Sequence, residues 1–169
     1  PIDRNGAKLH NGILWTDQRS KPIFREIRSK IAAEDILRIT GLQLEYPIAA
    51  PNILWIKKNR PEIFSRTDMF LPPKDYVNYR LTGAKLTDPS IASRSMLMDI
   101  HSFSWSEKIC NSLEISTENL PNIKQSVDLA GEINEASSRK TGLKVGTKVA
   151  VGGGDDLCQA LGAGVIRPG

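Results

Sequence analysis

The sequence predicts an α/β fold in a single domain. Three observations carry that expectation: helical and extended patterns alternate along the chain, no internal repeat or low-complexity linker interrupts them, and the size suits one packed core. The 169 residues are 40% apolar and 25% charged, which fits a globular chain and excludes a disordered or fibrous one.

Residues 1–16 open on the turn signal "DRNG" and continue to the apolar run "NGILW", predicting a hairpin or strand pair. From Ser20 to Ile39, the residues Ile23, Ile27, Ile31, Ile36 and Ile39 recur at three to five positions, a helical spacing that Gly41 stops. Ile53, Leu54, Trp55 and Ile56 fall on a short helix. Pro61 breaks it and begins the next turn, because proline is tolerated at a first helical position. "DMFLPPKDYVNYRLTG" reads as a short buried strand, a turn at Pro72–Pro73, and a helix from Lys74 to Gly83.

Next, "TDPSIASRSM" has the form of a capped helical turn, and "LMDIHSFSW" that of a strand passing into a loop. "SWSEKICNSLEI" carries Trp105, Ile109 and Leu113 at helical spacing. After a proline-marked loop, "AGEINEASSRKTGL" predicts a short strand and a helix ending at Gly142. The closing stretch predicts a strand, "KVAVGG", and a helix, "DLCQALGAGVI".

Composition narrows the function classes. The net charge is +4, yet 23 basic residues are interleaved with 19 acidic ones, so no nucleic-acid partner is expected. The apolar runs fall far short of the roughly 20 residues that span a bilayer, and the first residues lack the pattern of a signal peptide. The expectation is a cytoplasmic protein with no membrane partner. Cys110 and Cys158 stand apart, without CxxC spacing or nearby histidines, and are read as reduced, buried thiols rather than metal ligands.

Two stretches carry possible chemistry. In "GGGDD", an aspartate at a strand end, beside glycines that let a ligand approach the backbone, suits a proton acceptor. The same aspartates suit a helix N-cap, and local sequence leaves both readings open. A phosphate loop is excluded, since the GK[ST] ending is absent and two carboxylates at a helix start repel phosphate. In "WTDQR", Trp15 offers a flat apolar face, while Asp17 and Arg19 supply an acceptor and a fork of donors for hydroxyls. The alternative is that Trp15 is core and Asp17 caps the following helix. Lys74 and Asp75 fall at a helix start and are read as structural. Trp55, Tyr76, Tyr79 and Trp105 are read as packing, and His10 and His101 as neither base nor ligand.

The blocks "ILWTDQRS", "ITGL", "PNILWIKKNRPEIF", "FLPPKDYVNYRLTG", "TDPSIAS", "WSEKIC", "GLKVGTKVAVGGGDD" and "ALGAGVIRPG", in this order, resemble the amino-terminal lobe of the FGGY family of carbohydrate kinases. The match is nearest the xylulose kinase branch and covers nearly the whole chain. It implies a ribonuclease H-like lobe of the actin and hexokinase type, here incomplete. Residues 1–169 would be the N-terminal domain in part, with the opening DxGT strand and the C-terminal nucleotide-binding lobe absent, and inactive by itself.

The activity implied is transfer of the ATP γ-phosphoryl group, with Mg²⁺, to a sugar hydroxyl. D-xylulose is the acceptor implied; gluconate, glycerol or another polyol is the alternative, as is a non-catalytic sugar-binding module. By the same resemblance Asp155 is the general base, and Trp15, Asp17, Arg19 and Asp156 contact the sugar. The partners implied are that sugar and the missing lobe, with a homodimer left open. Three positions depart from the family pattern: Asn52 stands where a lysine is usual, Pro47 where a small or aromatic residue is, and Asp156 where xylulose kinases carry asparagine.

Overall fold

The computed structural model describes residues 1–44 and 49–167; Pro47 lies outside the described residues, as do Pro168 and Gly169. The amino-terminal stretch departs from the expected hairpin. Residues 3–7 form a turn in which Asp3 Oδ1 accepts from the N–H groups of Asn5 and Ala7, at 3.0 and 2.8 Å. Ile2 makes isolated antiparallel bridges to Lys8 and Met69. "NGILW" forms no strand, because Leu14 and Trp15 are exposed and give it no buried face to hold against a sheet.

The single helix expected over Ser20–Ile39 is two helices, α1 (Ile23–Lys30) and α2 (Ala33–Thr40). Ile31 and Ala32 between them are extended, with ψ of 137° and 141°. The reason lies in the spacing: Ile31 to Ile36 is a step of five, about 140° out of phase at 3.6 residues per turn. The break returns both isoleucines to the core. Helix α3 (Ala49–Asn59) follows, then α4 (Pro61–Arg66) with proline at its start, and α5 (Pro73–Thr82), which ends at Gly83 as expected.

Strand β1 (Leu86–Thr87) leads to the short α6 (Pro89–Ala92), where Asp88 is the N-cap and its carboxylate accepts from Ser90 N–H. After a 3₁₀ turn at Ser93–Ser95 come β2 (Met98–Asp99) and β3 (Ser104–Trp105), which pair antiparallel, so the predicted strand and loop form a small hairpin. Helix α7 (Glu107–Leu113) is capped by Ser106. A 3₁₀ turn at Thr117–Asn119 precedes β4 (Asn122–Ile123), which pairs parallel with β1. Strand β5 (Leu129–Glu132) pairs antiparallel with β6 (Lys148–Ala150) around α8 (Glu135–Thr141), with a register shift between Leu129 and Gly131. Helix α9 (Asp155–Gly162) closes the described chain.

The principal core is helical. Ile27, Ile36, Met96, Leu97, Ile109 and Leu113 bring α1, α2 and α7 together around the segment before β2, and Ile53, Leu54 and Ile56 add α3. A second packing unit sets α5 against β5, β6 and α8. Ser137 Oγ donates to Arg80 O at 2.6 Å, and Asn78 Nδ2 to Val151 O at 2.7 Å, so α5 is tied to α8 and to the residue that follows β6. Among the described residues no helix is long and apolar enough to cross a membrane.

Candidate active site

The candidate site is built where β6 ends. Val151 is fully buried, Gly152, Gly153 and Gly154 follow, and α9 begins at Asp155. Gly152 has φ of +75°, a left-handed backbone that strains any side chain, and this turn sends the chain out of the sheet. At Gly154, a Cβ would come within 3.1 Å of Asp156 Oδ1 and 3.4 Å of Ser90 Oγ. The loop is thus packed tightly enough that a side chain there would disturb its neighbours.

Neither aspartate is the helix cap. The N-cap is Gly154, and Asp155 and Asp156 occupy the first helical turn, where the helix dipole favours their charge. They differ in what they touch. Asp156 Oδ2 accepts from Arg94 Nη1 at 2.6 Å, and Oδ1 lies 3.1 Å from Leu157 N–H. Asp155 is exposed and makes no side-chain hydrogen bond or ion pair among the described residues. One carboxylate is engaged by a guanidinium, and the other has no such partner among the described residues.

Behind the glycine loop lies a cluster that local sequence does not announce. Lys74 Nζ, at the start of α5, donates to the carbonyls of Val151 and Gly152 at 3.0 and 3.1 Å. It also pairs with the fully buried Asp75 and Asp88 at 2.7 and 3.1 Å. Asp88 in turn accepts from Ser126 Oγ at 2.9 Å and from Ser90 Oγ. Ser90 Oγ accepts from Gly154 N–H at 2.7 Å, which closes the circuit at the loop. Burial pushes the Asp75 carboxyl above its usual range, and its neighbour Asp88 adds to that against Lys74 and Thr87. Burial acts the same way on Asp88, but the hydrogen bonds from Ser90, Ser126 and Lys74 outweigh it and hold that carboxyl below the usual range.

The second predicted constellation stands apart. Trp15 is 83% exposed, which overturns the core reading for it. Asp17 does not cap α1, whose first turn follows Pro22; it accepts from Arg19 N–H at 2.9 Å and pairs with the Arg19 guanidinium at 2.8 Å. That hydrogen-bonded pairing lowers the Asp17 carboxyl and raises the Arg19 guanidinium. Arg19 also lies 4.9 Å over the ring of Trp55. Among the described residues no hydrogen bond or ion pair joins this turn to Asp155 or Asp156. Of the thiols, Cys110 is buried as expected, and burial pushes it up to about 11. Cys158 is exposed instead, because it lies on α9, a helix with no buried residue.

Sequence reading missed Lys74, Asp88, Ser90, Arg94 and Ser126 as parts of this site. The signals "PPKD" and "TDPS" were present as helix starts, but the glycine-loop groups that Lys74 and Ser90 hold lie 64 to 78 residues away.

Comparison with known proteins agrees with this architecture. The model of the FGGY family of carbohydrate kinases, N-terminal domain, matches residues 1–162. A xylulose kinase of Bacillus subtilis is 38% identical over 168 residues, 99% of this chain and 34% of that protein. The crystal structure of a xylulose kinase from Rhodospirillum rubrum superimposes with a TM-score of 0.93 at 26% identity, covering 99% of this chain and 34% of the other. Plasmodium falciparum glycerol kinase, solved with ADP, gives 0.89 at 27% identity over 98% and 34%. The chain spans about a third of the length of the relatives it matches. Its α/β elements are part of the ribonuclease H-like, actin-type fold of these sugar kinases. With 162 of its 169 residues matched end to end and the same fold in solved relatives, the chain belongs to the FGGY family of carbohydrate kinases.

Proposed function

We propose that this chain supplies the sugar-side part of a cytoplasmic kinase that phosphorylates D-xylulose at the expense of ATP, with Asp155 as general base. The observation that carries the reading is the contrast at the start of α9: Asp156 is held by Arg94, while Asp155 is exposed and unengaged among the described residues. Phosphoryl transfer asks little covalent work of a protein beyond positioning the acceptor and stabilising charge. Asp155 takes the proton of the sugar hydroxyl as its oxygen bonds to the γ-phosphorus and the bond to the departing ADP breaks. Trp15 provides a face for the sugar, Asp17 and Arg19 bind hydroxyls, and Asp156 orients the acceptor while anchored to Arg94.

The nucleotide is not assigned to these residues. Among the described residues no group of three His, Cys, Asp or Glu side chains converges as a metal site, and the start of α9 presents carboxylates rather than donors to a phosphate. In this proposal ATP and Mg²⁺ are assigned to the two-thirds of the kinase that the relatives have and this chain does not span. A panel of D-xylulose, gluconate and glycerol, offered to the complete kinase in an ADP-release assay, tests the substrate. D-xylulose is expected to give the highest kcat/KM; preference for either of the others assigns the site to that acceptor and overturns the xylulose reading.

A further inference from the structure

The loop that presents Asp155 has no side chain of its own to fix it, because Gly152, Gly153 and Gly154 leave only backbone. It is fixed by groups from elsewhere. Lys74 holds the carbonyls of Val151 and Gly152, Ser90 holds the N–H of Gly154, and Asp88 ties the two together through its separate carboxylate oxygens. Packing adds to this: a Cβ on Gly153 would lie 3.3 Å from Cys158 Sγ and in van der Waals contact with Ser90 Oγ and Ser126 Oγ, at 3.5 and 3.6 Å.

Such a cluster is a poor device for stability alone. Buried ion pairs are often replaceable by apolar residues with no loss, since desolvation offsets their attraction. Apolar residues, however, would not grip the carbonyl and amide groups of three of the four residues preceding Asp155. Those contacts determine the angle at which β6 hands the chain to α9, and with it the place of the carboxylate.

We infer that Lys74, with Ser90 and Asp88, is a positioning residue for Asp155, setting the carboxylate at the height and angle that the acceptor hydroxyl requires. The inference rests on the proposed role of Asp155 as base. A misplacement of about 1 Å at a reacting group costs up to about 100-fold in rate without comparable loss of binding.

The test uses the complete kinase with D-xylulose. Lys74→Met combined with Asp75→Asn removes the clamp while keeping the charge balance of the cluster, and Ser90→Ala removes the hold on Gly154 alone. Each is made in the native protein and in an Asp155→Asn background. The expected result is a fall in kcat of about 10-fold or more, a KM for sugar within about threefold of native, and no further fall when Asp155 is already asparagine. If the double variant fails to fold, Ser90→Ala reads the same quantity. An unchanged kcat, an equal loss in both backgrounds, or a loss carried by KM overturns the inference. Near-native turnover of Asp155→Asn by itself overturns the general-base reading instead, so the two failures are distinguishable.

Discussion

Asp155 and Asp156 are adjacent in sequence, and their surroundings separate them: a guanidinium 2.6 Å from one, and no partner among the described residues at the other. Single residues elsewhere are separated by partners in the same way. Glu114, just past α7, accepts from Lys57 at 2.7 Å and Lys30 at 3.1 Å, and these hydrogen bonds lower its carboxyl to about 2. Its folded value lies below the unfolded one of about 4.3, so its contribution is present above that pH and is lost as pH falls toward the folded value. Glu114→Gln is expected to lower the thermal unfolding midpoint at about pH 7 in low salt, with the gap to native shrinking by about pH 3. A gap that is constant across that range contradicts the assignment. At this scale the sequence singled out the strand-end aspartates and "WTDQR", but left Trp15 open between core and surface, where the structure exposes it. It did not disclose Lys74, because what makes Lys74 more than a helix-start residue is a pair of carbonyls 77 and 78 positions later.

Elements were legible wherever apolar spacing and stop residues agreed. Helices α3, α5 and α8 begin and end close to their proline and glycine signals, and Ser106 caps α7 through a side-chain bond to Ile109 N–H. The one long helix that became α1 and α2 shows what was hidden. Two alanines at the junction are good helix formers and mask a break that only the five-residue step from Ile31 to Ile36 betrays. The expected strand pair at the amino terminus failed for the opposite reason: an apolar run without a buried side has nothing to pair against. The fully buried Ile27 and Ile36 then anchor the two helices in one core. Ile27→Ala is expected to destabilise by about 2–5 kcal/mol in a urea titration of the chain, by lost burial and the cavity left behind. A loss well under about 1 kcal/mol would mean that α1 is not held by this core.

Over the whole molecule, groups distant in sequence converge on the glycine loop. Lys74 at the start of α5 and Ser90 in α6 meet at the glycine loop, and α9 and the residues after it leave the loop with Leu157, Leu161, Val165 and Ile166 exposed. The fold class was legible from the alternation of helical and extended patterns, while the pairing of strands two to four residues long was not, since so few residues carry little periodicity. The family became legible through the order of its blocks rather than through any one of them. The central claim, that this end of the domain carries the base of a sugar kinase, is tested most directly by Asp155→Asn in the complete enzyme. Turnover of D-xylulose with ATP is measured beside calorimetric binding of the sugar. Turnover is expected to be lower by about 100-fold or more with sugar affinity within about threefold of native; turnover near the native rate would rule out Asp155 as the base.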